Sequence, residues 1–74
     1  MNTHFKPIKD ACENIGSQSN LAKLLGLSPV VINQWLKGIR PVPAVYCSEI
    51  EQKTGVLRKD LRPKDWKKLW PDLQ

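Results

Sequence analysis

Seventy-four residues, 41% hydrophobic and 26% charged, make one small globular domain over 1–74, too thin in its core for a self-contained enzyme with a deep cleft and too apolar for a disordered tail. Twelve Lys and Arg against seven Asp and Glu leave a net charge of +5, which favours a polyanionic partner, nucleic acid first and an anionic membrane surface second. No apolar run approaches the roughly 18 residues that cross a bilayer. The first ten residues carry Lys6 and Lys9 without the apolar stretch of a secretion signal, so a cytoplasmic protein with no membrane role is expected.

The first predicted helix covers 7–15. It begins at Pro7, where a missing N–H does no harm, and ends before Gly16. Helices over 18–25, 29–37 and 43–54 follow, closed in turn by Gly26, Gly38 and Gly55; Pro29 and Pro43 open the last two. Ser17 and Ser28 stand where an N-cap side chain accepts an orphan N–H. A less regular fifth helix is expected over 64–70. Period-two alternation and Asn-Gly or Asp-Gly hairpin signals are missing, so the class is all-α.

Cys12 falls on the first helix and Cys47 on the fourth. With His4 as the sole histidine, their spacing fits no metal site, and they read as reduced core thiols, a disulfide being the alternative. His4 has no nucleophile beside it, Glu49 and Glu51 diverge on their helix, and no Gly-rich phosphate loop occurs. Neither an enzyme nor a cofactor is expected.

Residues 18–37 carry the function. Leu21, Leu24 and Leu25 form an apolar stripe, with Ala22 beside it small enough to let a second helix cross closely. Gly26 turns the chain, Leu27 plugs the turn, and Ile32, Trp35 and Leu36 anchor the next helix. Val30, Asn33, Gln34 and Lys37 then point outward. Two short helices about a Gly-containing turn, with the second displayed, are a helix-turn-helix. No acidic residue lies between Asn14 and Ser48, whereas Lys23, Lys37 and Arg40 do, which removes repulsion toward phosphates. Side-chain amides donate and accept together at an adenine edge, and Val30 suits a thymine methyl. Trp35, on the inward stripe, is read as core and not as a base-stacking group. Lys23 is read as a solvated charge, with phosphate contact the alternative.

The stretch Gln18-Ser-Asn-Leu-Ala-Lys-Leu-Leu-Gly-Leu-Ser-Pro-Val-Val-Ile-Asn-Gln-Trp resembles the helix-turn-helix of Cro/CI-type phage repressors. Beyond it, Val42-Pro-Ala-Val-Tyr-Cys-Ser-Glu-Ile-Glu-Gln-Lys-Thr-Gly, Val56-Leu-Arg-Lys-Asp-Leu-Arg-Pro and the closing Trp66 to Leu73 are similar to a narrower group of small Cro-like prophage regulators. That group includes the YdaS-type proteins, to which an antitoxin role is ascribed. The resemblance implies a five-helix Cro-like domain that binds operator DNA, usually as a dimer. By position it implies phosphate contacts from Gln18 and Ser28, base contacts from Pro29, Val30, Asn33 and Gln34, and backbone contacts from Lys37 and Arg40. The motif's structural positions are Leu21, Ala22, Leu25, Gly26, Ile32 and Trp35. Leu57 departs from the group, where Thr or Ser commonly caps the next short helix.

The run from Arg58 to Lys68 reads as a solvated charged surface, a DNA role being the alternative. In the tail, 63–74, Trp66, Leu69 and Trp70 recur at i, i+3 and i+4 and are the candidate homodimer patch; the alternative is that they fold back on their own monomer. The expected function is a sequence-specific, double-stranded-DNA-binding repressor. The competing expectation is an interaction module that neutralises a toxin partner.

Overall fold

The structure, a computed structural model, describes residues 4–73 and is helical in all its regular elements. In chain order these are α1 (Lys6–Ile15), α2 (Gln18–Leu25), α3 (Pro29–Leu36), α4 (Ala44–Thr54), α5 (Arg58–Leu61) and α6 (Trp66–Leu69). The all-α expectation holds, but the count of five does not. The additional helix is α5, which begins after Leu57 without a side-chain cap from its own neighbour. Its cap comes from α4: Glu51 Oε1 accepts the Arg58 N–H at 2.7 Å, and the Arg58 guanidinium closes back on the same carboxylate. A long-range carboxylate therefore does what a local Thr or Ser does elsewhere. The expected helix over 64–70 shrinks to the single turn of α6, because Asp65 and Trp66 both donate to the Arg62 carbonyl in a preceding turn.

The helix ends follow from local chemistry. Ser17 accepts from the Asn20 N–H and caps α2. At its other end Gly26 sits at φ +73°, where the Leu27 N–H reaches the Ala22 carbonyl at 2.9 Å and the Gly26 N–H the Lys23 carbonyl. That double closure needs a left-handed residue and returns the chain at once into α3. Ser28 occupies the N-cap position of α3, yet its hydroxyl makes no capping bond. Pro29 has no N–H to offer, and the Val31 N–H is satisfied by the Ser28 carbonyl.

One core joins the first five helices. It holds Ile8, Ala11 and Cys12 of α1, Leu21, Ala22 and Leu25 of α2, and Ile32, Trp35 and Leu36 of α3. Val42, Cys47 and Ile50, and Leu61 of α5, complete it. The radius of gyration, 11.6 Å, matches the roughly 11 Å of a compact chain this long. The expected α2 stripe is rotated. Leu24 is 38% exposed whereas Ala22 is buried, because α2 packs most extensively on α3 and that contact draws the buried arc toward the small Ala22. At 100° per residue, Leu24 then falls outside the arc. Both cysteines are free and buried, and burial pushes the Cys47 thiol up to about 11.

Candidate nucleic-acid interface

The face of interest is built on α3 and held from behind. Ile32, Trp35 and Leu36 are all buried. The Trp35 indole lies tilted against Tyr46 of α4, ring centroids 5.7 Å apart. The α3 C-terminus is closed by Gly38, with the Ile39 N–H on the Gln34 carbonyl at 2.9 Å, and by a strand-like tether in which the Phe5 N–H donates to the Leu36 carbonyl at 2.6 Å. The α3 C-terminus is thus held from two sides, and the helix cannot roll without disturbing the core.

On the outward side, Val30 is 65% exposed, Pro29 and Lys37 are exposed, and Asn33 and Gln34 are half-buried. The Asn33 amide N–H donates to Gln18 Oε1 over a long 3.5 Å. This pairing turns the Gln18 NH2 away from Asn33 and leaves the Asn33 Oδ1 free to accept. Gln34 makes no such bond among the described residues, so its whole donor–acceptor amide is available. Ser28, Lys23 and Arg40 are also exposed, and the uncapped Ser28 hydroxyl can donate outward. None of Lys23, Lys37 and Arg40 is held in an ion pair among the described residues. Gly26 is an exposed turn residue, and the structural positions Leu21, Ala22, Leu25, Ile32 and Trp35 are all buried. The structure therefore leaves the residues singled out for bases and phosphates exposed or half-buried and brings Gln18 of α2 against Asn33 of α3.

The tail is arranged differently from the sequence stripe. Trp70 packs onto the core of its own chain, with the Arg58 guanidinium 5.6 Å from its ring centroid. Trp66 is half-exposed between two ammonium groups, Lys59 at 5.8 Å and Lys67 at 5.7 Å. Leu69 is 37% exposed. The three thus differ in exposure and in partners, with Leu69 and Trp70 lining one hollow. Sequence reasoning also missed Arg62, which donates to the Val42 carbonyl at 2.9 Å while forking onto Asp65, holding the α3–α4 connection against the α5–α6 turn. The fork holds the Asp65 carboxyl below its usual range. No short-range signal announces this bond.

No group of three or more His, Cys, Asp or Glu side chains among the described residues is placed to hold a metal ion. No described helix is long and apolar enough to cross a membrane.

Comparison with known proteins places these features in a family. The profile of the family described as "Bacterial toxin YdaS" matches residues 8–69. A protein of Escherichia coli (strain K12) named "Putative transcriptional regulator YdaS" is 51% identical over 61 residues, a match covering 78% of this chain and 62% of that relative. The chain thus spans less than two thirds of that relative's length. No solved structure matches the chain.

Proposed function

The chain belongs to the YdaS family, and we propose that it is a DNA-binding transcriptional regulator, a Cro-like repressor whose α2 and α3 act as a helix-turn-helix. The observation that carries this reading is the outer face of α3: exposed Val30 and Lys37, with the Gln34 amide uncommitted, on a helix locked by buried Ile32 and Trp35, in a stretch of chain without one acid from Asn14 to Ser48. A rigid helix of this kind fits the major groove. Gln34 and Asn33 take the roles of amide readers, and Val30 and Pro29 those of apolar contacts to base edges. Gln18, Ser28, Lys23, Lys37 and Arg40 position the helix by phosphate contacts, which carry affinity and little sequence information. The name of the E. coli relative, a transcriptional regulator, supports this reading. Repression needs only occupancy of an operator overlapping a promoter.

One α3 reads only a few base pairs, so two copies on DNA related by a twofold, with half-sites about 34 Å apart, complete the proposal. Exposed Leu69 and half-exposed Trp66 remain the tail's contribution to that contact; Trp70, engaged with its own core, is withdrawn from it. A second reading, an interaction module paired with a toxin, is favoured by the word toxin in the family's description. A mobility shift with the DNA upstream of the chain's own gene, against random DNA of equal length, separates the two. Preferential binding of the upstream DNA supports the regulator, and equal or absent binding supports the interaction module. Sedimentation of the saturated complex then gives one or two protomers per duplex.

A further inference from the structure

The basic run at the C-terminal end is not one uniform solvated surface. Two of its cations are consumed internally: Arg58 pairs with Glu51 and Arg62 with Asp65. Lys59 and Lys67 lie on the Trp66 ring. Lys64 and Lys68 are exposed and in no ion pair among the described residues. Of the run's two carboxylates, Asp65 is already paired by the Arg62 fork, and Asp60 is exposed on α5.

These lysines are not remote from α3. A groove of about 370 Å³ is lined both by Arg40 and Pro41, just past α3, and by Lys64 and Asp65. Lys64 in turn borders a shallow hollow of about 480 Å³ shared with Trp66, Lys67 and Lys68. Lys64 thus borders both the groove that holds Arg40 and the hollow that holds Lys67 and Lys68. The Arg62 bond to the Val42 carbonyl ties the α3–α4 connection to the α5–α6 turn, so the spacing does not depend on flexible lysine stems alone.

We infer that Lys64, Lys67 and Lys68 form a second phosphate-contacting tract, continuous with Arg40, that follows the DNA backbone beyond the base pairs read by α3. The tract rests on the DNA-binding reading of α3 and extends it. Ammonium groups without carboxylate partners release condensed counterions when they meet phosphates, and each such contact adds about 0.9 to the steepness with which binding falls with salt. Backbone contacts of this kind carry no sequence preference, so the tract lengthens the footprint and leaves specificity to α3.

The test measures binding of the full chain to a random-sequence duplex several helical turns long across a salt series from low salt. Lys64→Ala/Lys68→Ala is compared with Lys9→Ala/Lys53→Ala, which removes the same charge from α1 and α4; Lys67 is kept so that Trp66 retains its cation. The expected result is a slope flattened by about two for Lys64→Ala/Lys68→Ala alone, with the melting curve unchanged. Equal flattening by both double variants would reduce the effect to net charge and overturn the tract. So would an unchanged slope. Loss of binding to phosphatidylglycerol vesicles with an unchanged DNA slope would assign the lysines to a membrane surface and equally overturn it. A wild-type chain that does not bind the duplex would overturn the α3 reading itself, a result distinct from all of these.

Discussion

The α2–α3 unit and the α5–α6 end are built from opposite materials. Six of the core side chains come from α2 and α3, and their helix ends close on backbone groups about Gly26 and Gly38. The α5–α6 end gives the core one buried side chain, Leu61, and none from α6. It is held instead by Glu51–Arg58, Arg62–Asp65 and cations over Trp66 and Trp70. Apolar burial is indifferent to salt and moderate pH, whereas partly exposed ion pairs are screened by one and titrated by the other. A helix held by apolar burial is thus joined to an electrostatically fastened terminus.

Truncating the centre of the first region gives the largest expected effect. Trp35→Ala, removing an indole 3% exposed, should cost roughly 3–5 kcal/mol, most of the stability of a domain this size. Chemical denaturation measures it. A variant that melts normally but no longer binds DNA would show that the indole contacts bases and is not the anchor. In the second region, Glu51→Ala removes the cap of α5 and should cost about 1 kcal/mol. Hydrogen exchange should then rise over 58–73 and stay unchanged in α2 and α3; uniform loss of protection would erase the contrast between the regions.

Acid should act on the second region first. The Arg58 N–H and guanidinium hold the Glu51 carboxyl below its ordinary value, and the Arg62 fork does the same for Asp65. Because both folded values lie below the unfolded ones, their contribution is complete above about pH 4–5. It is lost as pH falls through the folded values, where the unfolded state binds more protons. A pH titration followed at Trp66 and Trp70 should change below about pH 4 before the Trp35 environment does; simultaneous loss at all three would contradict it. The smallest expected effect is none at all. With Cys12 and Cys47 free and buried, the melting temperature should not respond to reductant, and a fall on reduction would reveal a disulfide.

The first four helices were legible because proline and glycine write their ends locally: Pro7, Pro29 and Pro43 at starts, Gly16, Gly26, Gly38 and Gly55 at stops. What escaped was long-range. The cap of α5 is seven residues away on Glu51, so Leu57 looked like a missing signal. Burial of Ala22 in place of Leu24 is decided by the approach of α3, which a one-helix periodicity does not contain. The tail stripe was compatible with self-packing or with a partner. Its resolution, Trp70 inward and Trp66 between two lysines, depends on where α5 places Arg58 and Lys59. Of the candidate interface, the outward set on α3 was readable from 100° steps, but the Asn33–Gln18 pairing and the groove between Arg40 and Lys64 required the fold.

The central claim is that α3 reads base sequence, and the discrimination ratio between the chain's own upstream DNA and random DNA tests it most directly. It should be measured for the wild type, Gln34→Ala and Lys37→Ala. The wild type should prefer the upstream DNA. Gln34→Ala should lose roughly 1–3 kcal/mol on that DNA with little change on random sequence, and Lys37→Ala should weaken both alike and preserve the ratio. Equal weakening of both DNAs by Gln34→Ala, or a wild type with no preference, would contradict the claim.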